Sequence, residues 1–387
     1  MSAALYHNML VSARHGGAEQ LALQIHKYVT ALRPGTGQLL VPSGGATREL
    51  IASAGEDFKT YRLDWLRSRG HARRLLANLE LAGKLRRSGR GLLHIHSPYV
   101  YGAVQPFLAL SGLKTILHLH LDYSEAELQW TIKRPPDLLF VCAAFMRERA
   151  AKILGARAHQ REPNIVTAIN AVDTERFTPV DRAEAKRSRG LEPQRPVFLM
   201  AANLAPHKGQ ITAIRAMATL VREGLRPLLW LVGEEREQQG TYTRQLHELV
   251  AQSGLQETVQ FLGFRTDVPQ LLHAADCLLL PSTHEGLPLS ILEAQASNVI
   301  VLAAPTAGIP EVVADGRTGF LIAADDAQKY AEVAAAVLRD GALAERVRDT
   351  ARRQVVANFS LGRYCERILS EYDRLLGAES GDAKVLT

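Results

Sequence analysis

The sequence predicts an α/β protein built from two Rossmann-like, doubly wound domains. Three observations predict it: two successive series of short apolar runs alternating with helical periodicity, a stretch between them rich in Pro and charge without periodicity, and Gly- or Pro-bearing loops directly after several runs. With 387 residues, 47% hydrophobic and 22% charged, the chain is long enough for two domains with separate cores.

The first series reads as strands over 3–11, 38–41, 92–96, 115–120, 138–142 and 165–169, with helices such as 18–32 and 145–154 between them. The second reads as strands over 197–202, 228–232, 259–263, 277–280 and 299–303, with helices ending in 327–339 and 343–358. A last helix over 361–376 comes after the second sheet is complete, and the final ten residues are expected to be disordered. Residues 173–196 read as the linker. The expected organisation is therefore 1–178, 179–358, a helix within 359–377, and a tail over 378–387.

Composition narrows the function. No apolar stretch approaches the length of a membrane span, and Met1 to Arg14 lacks the basic region and apolar core of a secretory signal, so cytosolic residence is expected. Cys142, Cys277 and Cys365 are few and far apart, which suits reduced structural thiols. The net charge of +6 is concentrated: residues 57–90 hold ten Lys or Arg against three acids. Leu66, Leu75, Leu76, Leu79 and Leu81 fall in the same region at spacings that allow a basic amphipathic helix over 65–85, suited to an anionic membrane surface; an ordinary solvated helix face is the other reading. Nucleic acid is disfavoured by the absence of a helix-turn-helix, zinc or RNA-recognition signature and by scarce aromatics.

The most informative segment is Glu285-Gly286-Leu287-Pro288-Leu289-Ser290-Ile291-Leu292-Glu293, two carboxylates separated by seven residues across a loop and a helix start. It lies between the fourth and fifth strands of the second series. In open parallel sheets ligands bind beyond the carboxyl ends of the strands, and a helix N-terminus offers unpaired N–H groups to an anion. Pro288 suits the first helical position, and a carboxylate there can accept hydrogen bonds from vicinal sugar hydroxyls. Spacing alone also allows Glu285 and Glu293 to be ordinary solvent-facing or dipole-complementing residues.

Two further loops follow strands. His15-Gly16-Gly17-Ala18-Glu19 opens the first helix, and paired glycines let backbone N–H groups approach a phosphate; a plain tight turn is the other reading. Asn203-Leu204-Ala205-Pro206-His207-Lys208-Gly209 holds the equivalent place in the second series, where Lys208 is either a point charge for a diphosphate or a solvated loop lysine. His94 and His96 share one strand face, as do His118 and His120 on the next strand. No acid or thiol joins them at metal spacing, so no metal site is expected. His96 and His120 are expected to point into the crevice as hydrogen-bond donors, and His94 and His118 into the core.

Taken in order, Gly16-Gly17-Ala18-Glu19, His120, Asn170-Ala171-Val172-Asp173, Pro206-His207-Lys208-Gly209, Leu262-Gly263, Ala275-Asp276, Pro281-Ser282, Glu285 through Glu293, Gly308-Ile309-Pro310-Glu311 and Gly316-Arg317-Thr318-Gly319 resemble the retaining glycosyltransferases of family 4. The resemblance runs from residue 3 to about 376 and is most specific in the second half. It implies the GT-B fold, with two Rossmann-like domains facing a central cleft and the last helix crossing back to the first domain. A first, acceptor-binding domain and a second, nucleotide-sugar-binding domain are implied with it.

The resemblance also implies roles. Glu293 is expected to hold the ribose of a nucleotide-diphosphate sugar, UDP- or GDP-linked. Lys208 is expected on the diphosphate, with the backbone of Gly286, Leu287, Pro288 and Leu289, and Glu285 on the donor sugar. His120, Lys208 and Glu285 are thus the catalytic candidates, and Gly16, Gly17 and Asn203 join the donor site. Arg14, His15, His96 and His120 are acceptor-side candidates. The implied acceptor is a glycan or lipid-linked molecule of cell-surface polysaccharide, lipopolysaccharide or glycolipid synthesis, and neither metal nor cofactor is expected. Departures from the family pattern are Asn203 where an arginine is usual, with Arg14 or Arg265 as candidate replacements, and Ala171, Ala307, Asn298 and Ile300 at turns. A nucleotide-sugar epimerase or hydrolase of the same architecture, and a non-catalytic nucleotide-sugar-binding protein, are the alternative readings.

Overall fold

The computed structural model describes residues 5–10, 16–53, 55, 57–66, 70–85, 91–108, 111–155, 164–235 and 240–377. The chain divides into two compact units, Met1–Asn170 with Gly362–Thr387, and Ala171–Leu361. The tail over 378–387 lies outside the described residues.

The first unit carries seven strands: β1 (Leu5–Met9), β2 (Gly37–Pro42), β3 (Phe58–Tyr61), β4 (Gly91–Ile95), β5 (Lys114–Leu119), β6 (Leu138–Val141) and β7 (Ile165–Thr167). All pairings are parallel, in the order β3-β2-β1-β4-β5-β6-β7. Helices cover both faces, which is why β4 and β6 are buried throughout rather than alternating. β3 is a strand that apolar patterning did not reveal: Phe-Lys-Thr-Tyr is short, half-polar and at the sheet edge, and tertiary pairing with β2 makes it a strand.

The basic segment differs from expectation. Instead of one helix over 65–85 there is a short helix at Leu63–Leu66 and a second at His71–Leu85, with Gly70 ahead of the latter. Its leucines do not share a face. Ala77, Leu81 and Leu85 are buried, whereas Leu75, Leu76 and Leu79 are 48%, 55% and 54% exposed.

The last helix, Leu361–Leu376, buries Tyr364, Cys365, Ile368, Leu369 and Tyr372, an i, i+1, i+4, i+5, i+8 stripe. Tyr372 Oη lies 2.6 Å from His94 Nδ1 on β4, and Asp373 takes both terminal nitrogens of Arg33 at 2.6 and 2.7 Å. Those bonds, from two consecutive residues, tie the last turns of the helix to β4 and to Arg33 of the first unit.

The second unit has β8 (Val197–Ala201), β9 (Leu228–Val232), β10 (Val259–Gly263), β11 (Cys277–Leu280), β12 (Ile300–Ala303) and a short β13 (Phe320–Leu321), again all parallel, ordered β10-β9-β8-β11-β12-β13. The strand order reverses between β8 and β11, the place where crossovers leave to opposite sides and a crevice opens. The three cysteines are free and buried, and burial pushes the Cys277 thiol up to about 12. Among the described residues no helix is long and apolar enough to cross a membrane.

Residues 173–196 are not a linker. The chain enters the second unit at Ala171, since Val172 exchanges backbone hydrogen bonds with Phe359 and Leu361 at 2.9 Å each. A helix at Arg182–Arg187 follows, capped by Asp181, and its Lys186 is buried. The Lys186 ammonium donates to Asp276 Oδ2 at 2.7 Å and to the carbonyls of Arg195 and Pro193 at 2.8 and 3.2 Å, while Asp276 Oδ2 also accepts from Val197 N at 2.8 Å. This pair staples the segment under the amino ends of β8 and β11. Charge-rich composition hid it, because sequence patterning reads such residues as solvated.

Removing one partner of a buried ion pair leaves the other charge uncompensated, at a cost of about 3 to 5 kcal/mol. Lys186→Met should therefore lower the stability of the second unit by about that amount in urea-induced unfolding. A loss within experimental error would show that the pair does not hold the segment.

Candidate active site

In the second unit the loop after β8 contains a 3₁₀ turn, Pro206–Lys208, ended by Gly209. Gly209 has φ +82°, and a Cβ there would lie 2.1 Å from the Pro281 carbonyl oxygen. Only glycine permits that approach. The loop is thereby pressed against the one after β11, where Thr283 N donates to the His207 carbonyl at 2.8 Å and Ser282 Oγ to the Lys208 carbonyl at 3.3 Å. The consequence is a forked contact: Lys208 Nζ lies 2.8 Å from each oxygen of Glu285, which is 4% exposed.

The loop after β12 closes the other side. Gly308 N donates to the Gly286 carbonyl at 2.9 Å and Thr306 Oγ1 to the Ser282 carbonyl at 2.8 Å. Ala307 and Asn298, which stand where the family pattern has glycine, both have φ +55°. A Cβ-bearing residue held in that region costs of order 1–2 kcal/mol, so the turn geometry survives the substitution at the expense of strain.

The helix after Glu285 is Leu289–Ala296. Pro288 is its N-cap in extended conformation, one residue earlier than the expected first helical position, because the chain turns into the helix only after the Gly286-Leu287 loop. The first-turn amides have no carbonyl partner earlier in the helix. Glu293, in the second turn, is partly buried; desolvation raises its carboxyl to about 7, offset in part by Arg176. Arg176 was not singled out from the sequence, since it lies in the segment read as linker.

Other candidates fare differently. Arg265 is bound through both Nε and Nη2 to Asp267 at 2.7 Å, so its charge is already balanced on the surface. The Asn203 carbonyl accepts from Gln210 Nε2 at 2.9 Å. Arg14 and His15 lie outside the described residues. In the first unit Gly16 is the extended N-cap of the helix Gly17–Leu32.

The histidines of β4 and β5 form a stack. Ring centroids are 4.2 Å apart for His94 and His96 and 4.1 Å for His118 and His120. His96 and His120 do not project as free donors as expected. Both are buried, and His96 Nδ1 lies 2.8 Å from His120 Nε2. Their protonation follows from the network. Asn8 gives its Nδ2 to the Ala22 carbonyl at 2.9 Å, so its Oδ1 accepts from His96 Nε2 at 2.7 Å. His96 Nδ1 is then an acceptor and His120 Nε2 the donor. Burial lowers both, His120 to about 3, so the stack is neutral at ordinary pH. His94, His96 and His118 bring ring nitrogens within 4.8 Å of one another. The His94 and His118 planes are only 4° apart, however, so their in-plane lone pairs run side by side instead of converging on a tetrahedral centre.

The structure thus joins Lys208 and Glu285 directly, sets Glu293 on the helix that follows, and leaves the histidines and Gly16-Gly17 as features of the first unit. Residues 181–354 match the family model for glycosyl transferases group 1. The chain is 30% identical over 223 residues to D-inositol 3-phosphate glycosyltransferase of Mycobacterium marinum, covering 57% of this chain and 47% of that protein. It is also 30% identical over 220 residues to the lipopolysaccharide core biosynthesis mannosyltransferase LpsB of Rhizobium meliloti, covering 55% and 62%. The chain therefore spans between about half and two thirds of these curated relatives. The crystal structure of Anabaena HepE in complex with UDP superposes with a TM-score of 0.80 at 19% identity, covering 96% of this chain and all (100%) of that one. Sucrose-phosphate synthase of Thermosynechococcus elongatus gives 0.78 at 18%, covering 97% and 100%. The chain has the GT-B fold, and most of its second unit, residues 181–354, is similar to the glycosyl transferases group 1 family.

Proposed function

We propose that this protein is a retaining glycosyltransferase of family 4 that moves a sugar from a UDP- or GDP-linked donor to a glycan or lipid-linked acceptor. The observation that carries the reading is the Lys208–Glu285 contact at the strand-order reversal, with Glu293 on the adjoining helix. A diphosphate is the natural partner for Lys208 and the first-turn amides of Leu289–Ala296. Its arrival draws the ammonium from Glu285 and frees that carboxylate for the hydroxyls of the donor sugar. Glu293, as a carboxylate, accepts from the two ribose hydroxyls.

In this reading the bond from the anomeric carbon to the phosphate oxygen breaks, and the bond to the acceptor oxygen forms on the same face. The acceptor proton passes to the departing phosphate. Lys208 and the helix amides stabilise the developing negative charge, the task a divalent cation performs elsewhere. HepE, whose structures hold UDP and UDP-glucose, supports the donor class, and LpsB supports an acceptor in surface glycan synthesis.

The acceptor side has a counterpart in the first unit. Leu75, Leu76 and Leu79 are exposed beside Arg73 and Arg74 on the helix His71–Leu85. An apolar patch edged by cations suits the inner face of an anionic membrane, where a lipid-linked acceptor resides.

Three tests follow from this reading. In a donor screen with mass detection, Lys208→Ala should lower turnover about 10² to 10³-fold while wild-type turnover survives chelation of divalent metals; unchanged turnover in the variant would refute the assignment. Nucleotide affinity should rise as pH increases through about 7, where Glu293 ionises, and lose that dependence in Glu293→Gln. The same shift has a stability sign: a carboxyl raised from 4.5 to about 7 on folding makes the native state less stable as pH rises across that window. Glu293→Gln should thus melt no lower than wild type at pH 8, and a pH-independent affinity in wild type would remove the role given to Glu293. Finally, the protein should sediment with anionic vesicles and not neutral ones, weakened in Leu76→Ser/Leu79→Ser; equal partitioning to both vesicle types would count against membrane contact.

A further inference from the structure

Three tryptophans occur in the chain, and Trp130 is 70% exposed. It does not stand alone. Tyr99 is 38% exposed with its ring centroid 6.4 Å from Trp130, and the Tyr123 ring meets Tyr99 edge-on at 6.1 Å. Leu121, between them and the end of β5, is also exposed. A large apolar ring left in water gains nothing for folding, so the fold alone does not account for this cluster.

The cluster is held rigidly. Tyr99 opens the helix Pro98–Leu108 just after β4, and Trp130 lies in the helix Glu125–Thr131 just after β5. The two helices touch backbone to backbone, since a Cβ on Gly102 would lie 2.5 Å from the Thr131 carbonyl oxygen. Ser124 caps the second helix in a capping box with Glu127, whose carboxylate also takes the Tyr99 hydroxyl. Gln105 Nε2 donates to the Arg134 carbonyl at 2.6 Å and ties down the exit of that helix. The two helix backbones that carry the rings, and the Tyr99 hydroxyl, are therefore held before any ligand arrives.

We propose that Trp130 and Tyr99 form a stacking platform for a pyranose ring of the acceptor, a carbohydrate subsite in the first unit. The proposal rests on the glycosyltransferase reading and adds to it the acceptor's chemical class and place. An exposed aromatic face matches the C–H face of a sugar, and planar polar groups around it match the equatorial hydroxyls. Polar groups of this kind lie on the helix that carries Trp130: Gln129 Nε2 donates to Glu125 Oε1 at 2.8 Å, and Glu127 accepts the Tyr99 hydroxyl. The ring cluster lies beyond the carboxyl ends of β4 and β5, where parallel sheets place ligands. Charge near the rings is balanced: Glu125 and Glu127 occupy the first turn of the helix that carries Trp130, and Lys133 and Arg134 follow its end. A surface of that kind suits a neutral sugar, whereas a nucleic acid or an anionic headgroup calls for an excess of cations.

The test uses the full chain with methyl α-mannoside, methyl α-glucoside and maltose as probes in saturation-transfer NMR. Wild type is expected to transfer saturation to the ring-face protons of at least one probe, Trp130→Ala to lose it, and Trp130→Phe to retain most of it. With an acceptor found by the donor screen, Trp130→Ala should raise acceptor KM about tenfold or more with kcat and UDP or GDP affinity unchanged. No transfer from any probe in wild type, or equal transfer in Trp130→Ala, would overturn the platform. Loss of anionic-vesicle binding in Trp130→Ala with sugar contact intact would assign the patch to lipid instead and overturn it as well. Failure of the donor reading is seen separately, as absence of UDP and GDP binding in calorimetry.

Discussion

The candidate site depends on one close approach, that of Gly209 to the Pro281 carbonyl oxygen. Any side chain at 209 would drive the loop after β8 away from the loop after β11, and Lys208 would no longer reach Glu285. The approach is possible because β8 and β11 are neighbours in the sheet although strands between them in sequence lie elsewhere. The reversal of strand order thus supplies the crevice, and a residue without a side chain allows its two rims to meet. Strain at Ala307, in the loop after β12, shows that this adjoining turn keeps its path even with a Cβ-bearing residue in the left-handed region.

Electrostatics divide the second unit into two ends. Under the amino ends of the strands, Lys186 and Asp276 are fully satisfied by each other and by backbone, and nothing is left over for a ligand. At the carboxyl ends Lys208 and Glu285, among the described residues, satisfy each other alone, and Glu293 is lifted toward neutrality by desolvation. A pair with hydrogen-bonding capacity to spare is what an incoming diphosphate and sugar can exploit. The first unit repeats the contrast with different chemistry. Neutral stacked histidines are locked to Asn8 and Tyr372 within the core, while a preset group of aromatic rings stays in solvent.

The eleven strands read from the sequence are all present, with ends displaced by at most a few residues, because long apolar runs of Leu, Ile and Val buried on both faces carry an unmistakable pattern. β3 and β13 were not legible: β3 is short and half-polar, β13 is only two residues long, and a neighbouring strand is what makes each of them one. Lys208, Glu285 and Glu293 were legible as a set through their positions after successive strands. The fork between Lys208 and Glu285 was not, because seventy-seven positions separate the two residues and nothing local couples them.

By itself the sequence determined the fold class, the two-part organisation and the loops that hold the candidate site, since these follow from periodicity and from glycine and proline at strand ends. The tertiary structure alone decided which charges are spent on stability and which are left for a ligand. Lys186 and Lys208 look alike in sequence; one is sealed by Asp276 and the carbonyls of Pro193 and Arg195, the other, among the described residues, by Glu285 alone. It also decided that His96 and His120 bond to each other and that Trp130 stands in water. Burial and partnership are properties of the packed chain, and residue type and spacing do not encode them.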